Sequence, residues 1–225
     1  MTILDPTANL RLLAWLSPAF PTGAFAYSHG VEWAVETREI RDADTLFAWV
    51  NAILSHGSGR SDAILLRHAH AAQGDIETLT ALAELALATS PSRERRAEAV
   101  HQGNAFARAA QAWNNTLLPK LAAAAGDLPY VIAVGALAGV SKIDPDLVTA
   151  GVLQGFAANL ISAAVRLVPL GQTTGLAVLA KLEPIILAVT TETRSSTLDD
   201  LGGCCFRSDI ASMRHETQYT RLFRS

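Results

Sequence analysis

Apolar residues along this chain recur mainly at the spacing of an α-helix. Tyr27, Val31, Ala34 and Val35 lie at positions i, i+4, i+7 and i+8, which places them on one side of a helix. A second stripe, at three-residue intervals, consists of Ile76, Leu79, Leu82 and Leu85. Since nearly all apolar segments follow this period and the connections are short, the sequence predicts an all-α fold, a single compact domain of roughly nine to ten helices.

Two helix starts are marked by a capping side chain that is followed by proline. Ser90-Pro91 and Asp144-Pro145 both have this pattern, which is typical of the first turn of a helix. The second opens the longest apolar segment, which runs to about residue 168. A further helix is predicted from about residue 174, but residues 185–191 are rich in β-branched side chains and fit either a helix or a strand.

The first two apolar segments are separated by a rigid turn at residues 17–23. Pro18 and Pro21 remove backbone donors and disfavour helical geometry in the residues before them, and Gly23 can adopt a positive φ angle. The aromatic residues around this turn are Phe20, Phe25, Tyr27 and Trp33. A turn between two helices needs only one proline or glycine, so we predict that this turn shapes a surface for another molecule.

The end of the chain differs in composition from the rest. Residues 207–225 carry four arginines against Asp209 and Glu216. Tyr219, Leu222 and Phe223 lie between these charges, and interleaved arginine and aromatic residues are enriched at protein interfaces. We therefore predict an all-helical domain, residues 1–203, followed by a flexible, partner-binding C-terminal tail, residues 204–225. The alternative, a tail that folds back on its own domain, stays open.

Composition favours a soluble protein in a reducing compartment. Half of the 225 residues are apolar, and the formal net charge of −3 gives no general attraction for nucleic acid or an anionic membrane. The only cysteines, Cys204 and Cys205, are adjacent, which favours a cytoplasmic location, and no secretory signal is expected. Residues 147–170 contain Gln154 and Arg166, which are costly in a bilayer, so we expect a buried helix and no membrane span.

No residues with the spacing of a known catalytic site stand out. The glycine-rich residues 57–61 lack the lysine and the preceding strand of a phosphate-binding loop. His29 and Glu32 share a helix face, but the rings of His68 and His70 point about 200° apart, unlike the pair of a zinc-binding helix. We predict that the chain is not an enzyme and binds no cofactor. The alternative is a metal-binding helical enzyme that uses these four residues.

Four stretches of the chain resemble the urease accessory protein F family (UreF). The first contains the rigid turn and reads LSPAFPTGAFAYSHGVE at residues 16–32. The others are SRERR at 92–96 with QGNAF at 102–106, AVRLVPLGQ at 164–172, and DIASMRHETQYTRLFR at 209–224. Phe20 and His29 stand where Leu and Gln are more usual in the family. The resemblance extends over almost the whole chain.

This resemblance implies an all-α, non-catalytic maturation factor for nickel-dependent urease. Members of the family form homodimers and bind a second accessory protein, UreD, also called UreH. Their complex recruits the nickel-carrying GTPase UreG and acts on the urease apoenzyme, and no nickel ion is expected as a tightly bound ligand of this chain. The partner-binding residues predicted from these stretches are Pro21, Gly23, Tyr27, Glu32, Arg166, Gln172, Arg214, His215, Glu216, Tyr219, Arg221, Leu222 and Phe223.

The resemblance also implies that the tail becomes ordered on the UreD-type partner. We predict that the tail buries Tyr219, Leu222 and Phe223 there, while Arg214 and Arg221 set its register. A scaffold that only bridges its partners and one that also modulates GTP hydrolysis both remain open at this point.

Overall fold

A computed structural model describes residues 6–225 of the chain. Its α-helices are α1 (Pro6–Trp15), α2 (Val31–Glu36), α3 (Ala43–His56), α4 (Ser58–Ala71), α5 (Ile76–Ala88), α6 (Arg93–Ala109), α7 (Leu117–Ala125), α8 (Tyr130–Val140), α9 (Pro145–Leu167), α10 (Gln172–Glu192) and α11 (Phe206–His215). Short 3₁₀ helices lie at Ala24–Ala26, Ala110–Trp113, Thr193–Ser195 and Leu198–Asp200. Residues 6–225 contain no β-strand, which confirms the predicted all-α fold.

The largest part of the core surrounds α8, which is apolar on every side. All of residues 131–139 are buried, as expected for a helix without a polar face. Helices α4, α5, α6 and α7 pack around it. Trp15 of α1 and Phe106 of α6 belong to the same apolar cluster, and their rings meet edge to face with centroids 6.1 Å apart. The N-terminal helix is therefore tied to the centre of the molecule.

A second apolar cluster lies between α3, α9 and α10. Val50 of α3, Leu160 of α9 and Leu182 of α10 are fully buried in it. The N-terminal half of α9 contributes Val148 and Val152 to the first cluster instead. Because α9 contributes to both clusters, it connects the two halves of the core.

The predicted helix starts are correct at α9 and displaced at α6. Asp144 caps α9, and its Oδ1 accepts two amide hydrogens of the first turn, each at 2.9 Å. At α6 the N-cap is Ser92, two residues after Ser90, and its Oγ accepts from the Arg95 amide at 3.1 Å. Pro91 therefore precedes this helix and does not occupy its first turn.

Residues 185–191, which fit either a helix or a strand by sequence, are helical and belong to α10. Ile186 and Val189 are buried against α3 and α9, and this packing overrides the β-propensity of the segment. The Thr190 hydroxyl donates to the Ile186 carbonyl at 2.7 Å, so the polar group is satisfied within the helix. Pro184 lies inside α10 on its exposed side.

Two helical segments, Pro145–Leu167 and Gln172–Ser195, are long and apolar enough to cross a membrane by length and composition alone. Core helices of soluble proteins meet the same criteria. Within the molecule, 50% of the apolar window of the first segment and 33% of that of the second are buried. The burial of α9 agrees with the core helix expected for residues 147–170.

The C-terminal residues fold back on the helical domain. Helix α11 packs against α2 and α6, and residues 216–225 follow it along the same surface. His215, Phe223 and Ser225 are at most 6% exposed. The expectation of a flexible tail is therefore corrected, because the alternative of a tail packed on its own domain is observed. Residues 206–225 are called the C-terminal segment below.

Candidate protein-docking site

The C-terminal segment lies between α2 and α6, and the turn before α2 makes room for it. His29 and Gly30 both have positive φ angles, of 59° and 80°. A Cβ atom on Gly30 would lie 2.8 Å from the amide nitrogen of Ser212, so only glycine lets α11 approach this turn so closely. The Ser212 hydroxyl is in turn 2.7 Å from the hydroxyl of Ser92, which caps α6. The turn before α2 and the start of α6, which form the two walls of this groove, thus both contact α11 directly.

His215, the last residue of α11, bridges the two walls. Its Nε2 is 3.0 Å from Glu32 Oε2 on α2, and its Nδ1 is 2.7 Å from Glu94 Oε2 on α6. The side chain is fully buried, and the two carboxylates are 6% and 10% exposed. Arg221 reaches the second oxygen of Glu94 at 2.8 Å. These four side chains form the centre of the contact, which we call the carboxylate clamp.

Glu32 also holds the backbone of the residues that follow α11. Its Oε1 accepts from the Leu222 amide at 2.8 Å, and its Oε2 accepts from the Phe223 amide at 3.0 Å. Two consecutive amides and one imidazole therefore converge on a single buried carboxylate. Such charge-assisted hydrogen bonds are stronger than neutral ones, so this side chain fixes the path of the segment.

The last residue of the segment is held by a second set of polar groups. The Ser225 carbonyl accepts from the amide of Ser28 at 2.9 Å and also from its hydroxyl. The Ser225 hydroxyl donates to Glu98 Oε2 at 3.0 Å. Arg95 donates to the same oxygen at 2.9 Å, so the buried charge of Glu98 is paired within α6.

Arg166 connects α9 to the rigid turn and to the segment. Its guanidinium carbon lies 4.3 Å from the centre of the Phe223 ring, in a cation–π contact. Its Nη2 donates to the Phe25 carbonyl at 3.0 Å. Tyr27, two residues after Phe25, is buried. Its hydroxyl lies 2.8 Å from His101 Nδ1, and its carbonyl accepts a hydrogen bond from the Asn159 side chain at 3.0 Å.

A cavity of about 590 Å³ lies beside the rigid turn. Its lining includes residues 15–25, small residues on one side of α9, and the charged residues Asp62, Arg95, Glu98 and Asp209. Burial, and secondarily the negative charge of Glu98, raises the pKa of Asp62 from 3.8 to about 7. The rigid turn thus borders a recess that is lined by both acidic and basic residues.

The raised pKa predicts how Asp62 affects stability. The folded state holds the Asp62 proton more tightly than the unfolded state does. The stability that this proton contributes is therefore lost as pH rises from about 4 to about 7. We expect Asp62→Asn to stabilise the protein above pH 7 by about 2 to 4 kcal/mol and to change little near pH 4. Thermal unfolding at both pH values measures this difference.

Asp75→Asn is the matched control for this prediction. Asp75 caps α5, and hydrogen bonds from Thr78 and two backbone amides lower its pKa. Its charge therefore contributes stability at neutral pH, and its removal should be neutral or slightly destabilising there. Equal effects of the two substitutions above pH 7 would contradict the raised pKa of Asp62.

The structure brings together some of the predicted partner-binding residues and separates others. Those buried by the chain itself are Tyr27, Glu32, His215 and Phe223. Those exposed or half-buried are Pro21, Gly23, Arg166, Gln172, Arg214, Glu216, Tyr219, Arg221 and Leu222. Within residues 6–225, no hydrogen bond or ion pair joins Pro21, Gly23 or Gln172 to the C-terminal segment. The predicted set therefore includes both residues that hold the segment and residues on the outer surface.

Sequence reasoning missed the acidic residues of α6. Glu94 lies within the SRERR stretch and Glu98 lies two residues beyond it, one helical turn from Glu94, and the arginines are the more conspicuous feature of this segment. Asp62 and Ser28 were missed as well. Two acidic residues at i and i+4 on a predicted amphipathic helix are the available signal, but it cannot identify partners more than 120 residues away.

The four residues of the metal-enzyme alternative do not converge on one site. His68 Nε2 is 3.2 Å from the Ser196 carbonyl, and His70 Nε2 is 2.7 Å from the Ile143 carbonyl. His29 Nε2 is 2.9 Å from the Ser58 hydroxyl, while Glu32 belongs to the carboxylate clamp. Among residues 6–225, no group of three His, Cys, Asp or Glu side chains is placed to hold a metal ion.

The fold and this site define an all-helical protein whose main polar network holds its own C-terminal segment against the rest of the helical domain. Residues 6–205 are called the body below. The sequence profile of the UreF family matches residues 40–183. The urease accessory protein UreF of Bradyrhizobium sp. (strain BTAi1 / ATCC BAA-1182) is 49% identical over 228 residues, covering 100% of this chain and 95% of that protein. The UreF proteins of Rhodopseudomonas palustris (strain BisA53) and Xanthobacter autotrophicus (strain ATCC BAA-1158 / Py2) are also 49% identical, and they cover 97% and 98% of this chain and 93% and 92% of their own lengths.

The chain belongs to the UreF family of urease accessory proteins. The resemblance found in its sequence is thereby confirmed over the full length of the chain. Family membership also confirms the prediction that the chain is not an enzyme, because the family is non-catalytic.

Proposed function

We propose that this chain acts in urease maturation by presenting the outer face of its C-terminal segment to a UreD/UreH-type accessory protein. The observation that carries this proposal is the division of the segment into two faces. The inner face is bound by the carboxylate clamp, and the outer face leaves large apolar side chains in solvent. A segment held in this way is already ordered before a partner binds.

The outer face has the spacing of a helix-based recognition surface. Phe206, Ile210 and Met213 follow each other at i, i+4 and i+7 on α11 and are 67%, 53% and 47% exposed. Beyond the helix, Tyr219 is completely exposed and Leu222 is 75% exposed. An apolar stripe of this kind on a protein surface is typical of a binding site for another protein.

The two faces divide the residues that were predicted to contact the partner into two groups. Phe223 is buried against the body, and Arg221 is engaged by Glu94, so we propose that both hold the segment and do not contact the partner. Arg214 is exposed at the end of α11, where it can pair with an acidic partner surface. Tyr219 and Leu222 keep the role of partner contacts.

The remaining parts of the proposed function follow from the family resemblance. The chain would bridge the UreD-type protein and the UreG GTPase, modulate GTP hydrolysis, and support nickel incorporation into the urease apoenzyme without itself holding a tightly bound nickel ion. A cytoplasmic homodimer belongs to the same proposal. Leu176 and Leu187 on α10, 65% and 61% exposed, supply an apolar surface that supports contact with a second copy.

Alanine substitution on the outer face tests the proposal. We expect the double variant Tyr219→Ala, Leu222→Ala to lower the affinity for the UreD-type partner by about 100-fold or more, because exposed aromatic and leucine side chains become buried anchors in a complex. Isothermal titration calorimetry or co-purification with the partner measures the loss. The circular dichroism spectrum should not change, because neither side chain packs in the core.

Leu10→Ala is the control for general loss of apolar surface. Leu10 is 68% exposed on α1 and lies outside the C-terminal segment. Its substitution should leave the affinity within about twofold of the original. The proposal fails if the double variant binds as tightly as the unchanged chain, or if Leu10→Ala weakens binding to the same extent.

A further inference from the structure

We propose that the recess beside the rigid turn binds a small organic cation, a guanidinium or ammonium group carried on an apolar body. In this proposal Asp62 pairs with the cationic group, and the apolar wall of the recess contacts the rest of the ligand. None of the apolar side chains on the outer face of the C-terminal segment lines the recess. The inference therefore goes beyond the proposed function and does not depend on it.

The recess has the size and the lining of a small-molecule site. Its volume of about 590 Å³ lies within the range of roughly 300 to 1,000 Å³ that is usual for such sites. Most of its wall is apolar, and the aromatic side chains in it are Trp15, Phe20, Phe25, Tyr130 and Phe156. Aromatic rings contact apolar groups and also attract cations to their faces. This wall is thus suited to an organic ligand that carries a positive charge.

Asp62 brings a carboxyl group without a partner to the recess. Among residues 6–225, no group donates a hydrogen bond to its carboxyl oxygens, and no cation pairs with it. The charge that acts on this carboxyl is that of Glu98, which is also negative. Shielded polar groups in native proteins nearly always have a partner, so this carboxyl is the group that a bound ligand would satisfy.

Tyr130, at the start of α8, supplies a second polar group without a partner. Within the described part of the chain its hydroxyl makes no hydrogen bond, and burial raises its pKa to about 12. The hydroxyl therefore stays protonated and can accept a hydrogen bond as well as donate one. A guanidinium carries several N–H donors, so it can serve a hydroxyl in addition to a carboxylate.

The charged residues of the lining leave an excess of negative charge. They are Asp62, Arg95, Glu98 and Asp209, three acidic residues against one basic residue. Arg95 donates to Glu98 at 2.9 Å, so the only cation of the lining is already paired. Asp209 of α11 has no hydrogen-bonded partner among residues 6–225, and burial raises its pKa. A ligand that restores the balance of charge is therefore a cation and not an anion.

Basic residues just outside the lining are engaged elsewhere. Arg60, two residues before Asp62, pairs with Glu192 and donates to a backbone carbonyl of the linker before α11. Arg166 donates to the Phe25 carbonyl and lies against the Phe223 ring, as described above. His29 lies 3.8 Å from Glu98 and not against Asp62. None of these side chains neutralises the carboxyl of Asp62.

An organic cation fits this recess better than a metal ion does. A hard divalent cation needs several oxygen ligands, and the wall around Asp62 is mostly apolar. Among residues 6–225, no three His, Cys, Asp or Glu side chains are grouped to hold a metal. One free carboxylate is enough for charge-assisted hydrogen bonds to a guanidinium or ammonium group.

Calorimetric titration of the full-length chain with 4-phenylbutylguanidinium tests the proposal. The matched neutral compound is 4-phenylbutylurea, which has nearly the same shape. The titration is done at pH 8, where most of Asp62 is ionised because its pKa is about 7. We expect the guanidinium to bind at least about tenfold more tightly than the urea, since only the cation pairs with the carboxylate.

Nuclear magnetic resonance checks that binding takes place in the recess. Addition of 4-phenylbutylguanidinium should shift the amide signals of Ser61 and Gly155, which line the recess on α4 and α9. The amide signal of Gly126, which follows α7 and does not line the recess, should stay in place. Shifts confined to residues outside the lining would contradict the proposed site.

Asp62→Asn separates the charge of the recess from its shape. This variant is expected to fold and to be more stable than the unchanged chain at pH 8, as argued above. It should lower the affinity for the guanidinium by at least about tenfold and change the affinity for the urea by less than about twofold. Asp75→Asn makes the same chemical change at the cap of α5, outside the recess, and should bind both compounds like the unchanged chain.

Three calorimetric results would overturn the inference. The first is equal affinity for the guanidinium and the urea, within about twofold, in the unchanged chain. The second is an unchanged affinity for the guanidinium in Asp62→Asn. The third is no binding of either compound up to about 10 mM. Because these titrations contain no UreD-type protein, each result would leave the proposed contact of the outer face intact, and failure of that contact would leave this inference intact.

Discussion

Gly103→Ala is expected to destabilise the protein by about 3 kcal/mol or more, enough to lower its soluble yield. Gly103 is buried in the middle of α6, where that helix crosses the start of α8. A Cβ atom there would lie 1.9 Å from the carbonyl oxygen of Leu128 and 2.6 Å from backbone atoms of Pro129 and Tyr130. Backbone cannot rotate away as a side chain can, so the two helices would have to separate.

Gly155→Ala is the matched control, since it makes the same change within another helix. Gly155 is exposed near the middle of α9, and a Cβ atom there would meet no heavy atom within 4 Å. Alanine is favoured over glycine in a helix interior, so this variant should be more stable by about 0.5 to 1 kcal/mol. Denaturant unfolding of both variants measures the contrast. Similar effects of the two substitutions would contradict the close approach of α6 to residues 128–130.

The comparison of these glycines shows what periodicity could and could not predict. The spacing of apolar residues predicts the helices and their inner faces, as at Val31 and Ala34 of α2, which are fully buried. The position of each helix and its inner face therefore follow from the local sequence. The pairing of helices does not, because two glycines in similar local contexts differ only in what lies opposite them. For Gly103 that is the backbone of residues 128–130.

The prediction of a flexible C-terminal tail is wrong for a related reason. Its arginines and aromatic residues are typical of a protein interface, but several of them, such as Arg221 and Phe223, contact the same chain. Glu32 precedes His215 by 183 residues and Phe223 by 191. No local pattern connects residues so far apart. The sequence therefore indicates an interaction surface, whereas the structure shows that part of this segment contacts the same chain.

Removal of residues 207–225 is expected to lower the helix content of the chain. A disordered tail could be deleted without loss of helix, but residues 207–225 include most of the ten-residue helix α11. Their removal would also expose the buried carboxylate of Glu32, which contacts His215 and the amides of Leu222 and Phe223. Point substitutions in the clamp are therefore a better probe than truncation, because they release the segment and keep the chain complete.

Glu32→Ala is expected to free the C-terminal segment and to weaken binding of the UreD-type partner by at least about tenfold. The substitution removes the acceptor of two backbone amides and of His215. The partner would then have to order the segment itself, at about 0.5 to 1.5 kcal/mol for each immobilised side chain. Trypsin cleavage after Arg214 and Arg221 measures release of the segment, and calorimetric titration measures the affinity.

Glu36→Ala on the same helix is the control, because Glu36 is exposed and its hydrogen bond to the segment is with the side chain of Gln218. It should change neither the cleavage rate nor the affinity by more than about twofold. The sign of the Glu32→Ala effect separates two mechanisms. A partner that binds the docked segment loses affinity when the segment is freed, whereas a partner that must first pull the segment from the body gains affinity. Tighter binding by Glu32→Ala would therefore show that docking on the body competes with the partner and does not prepare the segment for it.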